Sequence, residues 1–170
     1  SLLLFREGNL TQTLIHKIKY MGMKGLATWL GLQMGMHLKG LNCVVDWDCI
    51  IPVPLHKKRL RKRGYNQAEL LAVGLSKALN IPVCRDLALR CKHTKSQTTL
   101  SLHERMENMR DAFEINNRYA RLLHSINSIV IVDDVMTTGS TIISLIEVIR
   151  KAGFRGSVSI YTLAISTDWI

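Results

Sequence analysis

Two adjacent carboxylates, Asp133 and Asp134, directly follow the apolar run Ile129-Val130-Ile131-Val132. After Val135-Met136 come five small residues, Thr137-Thr138-Gly139-Ser140-Thr141. Ionised carboxylates only accept hydrogen bonds, so a pair of them suits sugar hydroxyls or a metal ion and disfavours a phosphate. The small residues offer the reverse. They gather hydroxyl donors and backbone N–H groups where a helix begins and its dipole favours an anion. Gly139 lets that backbone turn tightly. A phosphate site one short step from a polyol site describes a ribose 5-phosphate. The plainer alternative is a Ser/Thr helix cap beside incidental acids, but it leaves the order of strand, acid pair, loop and helix without a reason.

A second cluster is cationic. The chain carries 23 basic and 13 acidic residues for a net charge of +10, and six of the cations fall in Lys57-Lys58-Arg59-Leu60-Arg61-Lys62-Arg63. Without those six the chain would carry +4, so the excess is local and points to an anionic partner at one place. A phosphorylated metabolite and a nucleic acid both fit, with Lys58, Arg59, Arg61, Lys62 and Arg63 as the nucleic-acid candidates. A solvated helix face fits equally well. The cysteines at 43, 49, 84 and 91 form no Cys-x-x-Cys pair, and the six histidines are scattered. They read as reduced thiols, mostly buried, and as no metal box. No apolar run approaches the roughly 20 residues of a membrane span, and no signal peptide opens the chain. These readings make it a cytoplasmic protein.

The elements around these residues alternate between strand and helix. The 170 residues suit one domain, read as a helical hood over 1–45 and an α/β core over 46–170. Asn9 and Gln12 can cap a helix carrying Leu10, Leu14, Ile18 and Met21, which Gly22 and Gly25 interrupt. A second helix is expected from about Leu26 to Leu38, ending at Gly40, with Trp29, Met34 and Met36 in the core. Cys49 to Val53 reads as a buried strand ended by Pro52 and Pro54. A helix follows Asn66, for which Asn66 and Gln67 are caps before they are ligands. Ile81-Pro82-Val83 and Leu87-Ala88-Leu89 are short strand candidates. Residues 92–103 are polar and hydroxyl-rich, and Leu102 to Met109 reads as helical. The β-branched run Ile129 to Val132 is the buried centre of a parallel sheet. A helix from about Ser140 to Ala152, capped by Gly153, and a strand from Val158 to Leu163 complete a doubly wound α/β pattern.

The thirteen residues Ile129 to Thr141 resemble the phosphoribosyl-pyrophosphate (PRPP) signature of type I phosphoribosyltransferases. The block from Ile51 to Ala72 resembles the competence-protein ComF family, which joins such a block to a type I phosphoribosyltransferase domain. Lys92 through Gln97, Leu100, Glu104-Arg105, Asn108 and Ala112-Phe113 match further, so the resemblance runs from about Leu14 onward. It implies a central, mostly parallel sheet of about five strands flanked by helices, a small N-terminal hood and a mobile lid. It implies that Asp133 and Asp134 hold the ribose hydroxyls and that Thr137, Thr138, Gly139, Ser140 and Thr141 wrap the 5-phosphate. Leu55, His56 and Lys57 would clasp pyrophosphate, and Lys95 and Gln97 would reach it from the lid at 92–103, supported by Arg90 and Lys92. An ordinary surface hairpin is the alternative for that segment. Asp133, Asp134 and Lys95 form the implied catalytic set, with Mg2+ held indirectly by the two acids.

Many members of the family carry a four-cysteine zinc finger ahead of this domain. These 170 residues contain none, so zinc is not expected here.

Three functions follow from this resemblance. The first is Mg2+-dependent phosphoribosyl transfer from PRPP to an acceptor that the sequence does not name. The second is a DNA-uptake accessory role, with single-stranded DNA or a competence helicase or other DNA-processing protein as partner. The third is PRPP sensing without turnover.

Overall fold

The computed structural model describes residues 1–6, 8–42, 45–91 and 112–166. The expected segments Lys92 to His103 and Leu102 to Met109, with Lys92, Lys95 and Gln97, lie outside the described residues.

The central strand is β5 (Ser128–Met136). It pairs in parallel with β2 (Cys49–Pro52) on one side and with β6 (Ser157–Ser166) on the other, and β1 (Leu3–Phe5) closes the far edge in the order β1-β6-β5-β2. Both faces of β5 are covered, which is why its run is continuously β-branched. Ile129 and Ile131 point into a cluster with Leu123, Ile142, Leu145 and Phe154. Val130 and Val132 point into a second cluster with Ile18, Met34, Leu71 and Leu75. The helices lie accordingly: α6 (Ser140–Lys151) and α5 (Ala120–Ser125) on the first face, α2 (Lys24–Gly40) and α4 (Gln67–Leu79) on the second, with Ile15 and Ile18 of α1 (Leu10–Tyr20) buried beside them.

The close approach of α2 and α4 needs glycine. A Cβ on Gly31 would lie 2.1 Å from the Leu71 carbonyl oxygen, and one on Gly74 would lie 2.0 Å from that of Thr28. Residues 24–40 are therefore a layer of the core, and α1 is the part of the N-terminal region that leans over the end of the sheet. Gly25 falls in the first turn of α2 without breaking it. Of the three residues expected in the core, Met34 is fully buried, while Trp29 and Met36 are each 54% exposed on the outer face of α2.

The expected sheet of about five strands has four named strands in its main body. Ile81-Pro82-Val83 contributes one parallel bridge to Ile50 beside β2, where the Pro82 carbonyl accepts the Ile50 N–H at 2.9 Å. A proline that can accept but not donate suits such an edge. The Leu87-Ala88-Leu89 candidate becomes β3 (Ala88–Arg90), which pairs antiparallel with β4 (Phe113–Ile115) in a small separate sheet. The basic run forms α3 (Lys57–Arg63), a short helix ended by Gly64 in the left-handed region. Asn9 caps α1 by accepting the Gln12 N–H at 3.0 Å. Gln12 reaches back one residue further than expected, to the Gly8 N–H. Among the described residues no helix is long and apolar enough to cross a membrane.

Candidate functional site

At the carboxyl end of β5 the strand delivers Asp133 and Asp134, and the turn Thr137–Gly139 feeds α6. Open parallel sheets bind ligands at this end. Gly139 sits at φ +71°, a conformation that strains any side chain, and starts α6 with Ser140 buried behind it. The hydroxyls of Thr138 and Ser140 lie 3.0 Å apart, already paired within the turn.

The two acids differ. Asp134 is buried, and its backbone N–H donates to Asp133 Oδ1 at 2.8 Å. Its Oδ2 lies 3.0 Å from the Lys19 ammonium of α1, an ion pair in which that oxygen receives no aligned hydrogen bond. Burial, followed by the neighbouring Asp134 charge, pushes the Asp133 carboxyl up to about 7, against partial opposition from the Asp134 N–H, Lys19 and Arg90. Arg90, at the end of β3, lies over the Phe113 ring at 5.5 Å. Its guanidinium is pushed down to about 10 by burial and then by Arg59.

These groups share one cleft of about 810 Å³. Its walls include Asp133, Asp134, Thr137 and Thr141 from the strand and turn, Val53, Pro54 and Leu55 beyond β2, and Arg59, Lys62 and Arg63 from α3. Arg90 and the α1 residues Gln12, His16, Lys19 and Tyr20 complete it. Five cations thus face two carboxylates. Asn66 ties the walls together: its side chain accepts the Ala68 N–H at 3.2 Å as the α4 cap and donates to the Val53 carbonyl at 3.0 Å. Gln67 joins the lining and accepts from Arg63.

The expected residues distribute unevenly. Asp133, Asp134, Thr137, Thr141 and Leu55 line the cleft, while Thr138, Gly139 and Ser140 build the turn beside it. His56 caps α3 by accepting the Lys58 N–H at 3.2 Å, and Lys57 is exposed; neither belongs to the lining. The basic run divides. Arg59, Lys62 and Arg63 face the cleft, whereas Lys58 and Arg61 are exposed outside it. Lys19, His16 and Tyr20 were not foreseen. Their spacing from Gln12 puts all four along one side of α1, a signal that polar residues on an amphipathic helix usually carry without meaning.

Two carboxylates are too few for a dedicated magnesium cage, and among the described residues no group of three or more His, Cys, Asp or Glu side chains could hold a metal. They do fit an ion that keeps several waters and completes its shell with substrate phosphates. Asp134 Oδ2, charge-paired but without an aligned donor, is an acceptor such a ligand can use.

Residues 66–167 match the phosphoribosyl transferase domain. The chain belongs to that family. Within the family its relatives are of the ComF kind. Competence protein F of Haemophilus influenzae is 38% identical over 69% of this chain and 50% of its own length. DNA utilization protein YhgH of Escherichia coli K12 is 32% identical over 82% of this chain and 61% of its own. Competence protein ComFC of Bacillus subtilis is 32% identical over 67% of this chain and 43% of its own. The chain therefore spans about half the length of these relatives. Among solved structures, glutamine PRPP amidotransferase from B. subtilis, complexed with ADP and GMP, superimposes with a TM-score of 0.51 at 16% identity, over 81% of this chain and 26% of that one. This second likeness carries the fold of the phosphoribosyltransferase domain alone.

Proposed function

We propose that this ComF-family domain binds PRPP with Mg2+ and transfers its phosphoribosyl group to an acceptor seated against α1. The observation that carries the reading is the single cleft in which the α6 turn, the acid pair and the α3 cations meet. The turn takes the 5-phosphate through hydroxyls and N–H groups at the helix N-terminus. Asp133 and Asp134 accept the ribose hydroxyls. Arg59, Lys62 and Arg90 face the space left for the diphosphate, where fixed cations stabilise the charge that builds on a departing anion. Bound Mg2+ would neutralise that diphosphate further. The protein need supply no nucleophile, because C1 of the ribose passes directly from diphosphate to acceptor. The walls beyond β2 restrict water at that carbon.

A thermal-shift titration tests binding. Millimolar PRPP with Mg2+ should raise the melting temperature of the wild type, and Asp134→Asn or Thr138→Ala should remove much of the gain. An unmoved wild-type transition would contradict the reading.

The division of α3 supports a second role. Lys58 and Arg61 are exposed outside the cleft, where a longer polyanion can contact them. Three similar proteins are named for competence or DNA utilization. Single-stranded DNA on this outer face, handed to or from a DNA-processing partner, is compatible with PRPP bound inside.

A further inference from the structure

Lys19 pairs directly with the acid pair, and nothing in the proposed transfer uses it. Its Nζ sits 3.0 Å from Asp134 Oδ2, with the lysine side chain 25% exposed and that of Asp134 6%. The pairing is electrostatic without hydrogen-bond alignment, so a ligand donor or cation arriving at that oxygen meets a competitor that is easily exchanged. The same lysine is one of the last residues of α1, whose other anchors lie mostly on its inner side. Thr11, Ile15 and Ile18 are buried, and the Tyr65 hydroxyl donates to the Ile18 carbonyl. Leu10 at the start of the helix is 77% exposed, and Tyr20 at the cleft rim is 68% exposed. Beside the Arg63 guanidinium over the Tyr20 ring at 5.5 Å, the Lys19 pair holds the end of α1 over the cleft, and it uses an oxygen the ligand needs.

Building on the sugar-phosphate reading, we propose that Lys19 is a latch. In the ligand-free protein its ammonium occupies the place on Asp134 that a ribose hydroxyl or a hydrated divalent cation takes, so loading the acid pair and releasing α1 are one event. Two cations do not share one buried carboxylate oxygen without strong repulsion. Hydroxyl donors need the same lone pairs.

Amide hydrogen exchange over the α1 peptide tests this, using the wild type, Lys19→Met and Lys19→Arg, each with and without ribose 5-phosphate plus Mg2+. In the free state Lys19→Met should exchange in α1 roughly tenfold faster than the wild type, a size expected for loss of a partly buried ion pair. Lys19→Arg should restore the slow rate. Ligand should speed α1 exchange in the wild type and leave Lys19→Met unchanged, and Lys19→Met should bind the ligand at least as tightly as the wild type. Equal free-state exchange in Lys19→Met and wild type overturns the latch, since the contact then holds nothing. Ligand-induced protection of α1, or weaker binding by Lys19→Met, overturns it too, because Lys19 would then be a direct ligand contact. If neither protein binds ribose 5-phosphate, the sugar-phosphate reading fails, while the free-state comparison still decides whether Lys19 holds α1. A thermal melt of each variant confirms that the rest of the domain is folded.

Discussion

Burial and its neighbour's charge make ionisation of Asp133 costly, and this has a consequence for stability. Its carboxyl moves from an ordinary 3.8 to about 7 on folding. Between those values the unfolded chain has lost a proton that the fold retains, so stability falls as pH rises through that window and levels off above it. Asp133→Asn should flatten the dependence between pH 4 and 7 and stabilise the ligand-free protein above pH 7 by about 1 kcal/mol or more, read from urea melts across pH. A variant no more stable than the wild type at pH 8 would contradict a buried, repelled carboxyl. The same substitution should weaken PRPP binding, because an amide offers one acceptor where the ionised acid offers two. The acid pair and the Thr137 to Thr141 turn were legible in the sequence because they are contiguous, with strand, acids, turn and helix in one stretch. The partner of Asp134 was not. Lys19 lies at the other end of the chain, and only the packing of α1 brings them together.

At the scale of elements, β5 and α6 could be read because each repeats its own period over many residues, β-branched on both faces in one and apolar at i, i+3, i+4 and i+7 in the other. Strand β1 escaped because three residues at an edge carry no period. Helix α3 was legible only as the solvated-face alternative, because six of its seven residues are basic and none is buried, which leaves no apolar stripe to decide it. Its two sides nevertheless face different surroundings, the cleft on one and solvent on the other. Arg59→Glu/Lys62→Glu should weaken PRPP binding at least tenfold with a smaller effect on DNA. Lys58→Glu/Arg61→Glu should reduce single-stranded DNA binding and its salt slope while sparing PRPP. Paired filter-binding and thermal-shift measurements compare them, and identical behaviour of the two doubles would remove the distinction. The α2–α4 contact gives a sharper structural expectation. Gly31→Ala drives a methyl group into the Leu71 carbonyl. It should cost about 1–3 kcal/mol, lowering the melting temperature by roughly 2–4 °C per kcal/mol. An unchanged melt would mean the helices separate more easily than their spacing implies.

For the whole molecule, one end of a four-stranded parallel sheet gathers groups from α1, the segment beyond β2, α3, β3 and the α6 turn into one cleft. Strand order, the two-faced core and the closely packed α2–α4 layer set the position of that end. The groups facing it are oppositely charged, acids beneath and cations around. A ligand that satisfies both must present hydroxyl donors at one point and several negative charges on either side, which separates PRPP from a simple phosphate or a plain sugar. The most direct test is an equilibrium calorimetric titration of the protein with PRPP in Mg2+, beside ribose 5-phosphate and inorganic pyrophosphate. Saturable one-to-one binding of PRPP, tighter than either fragment and weakened in Asp134→Asn, is the predicted result. No binding of PRPP at millimolar concentration, or equal affinity for PRPP and pyrophosphate that Asp134→Asn leaves unchanged, would contradict it.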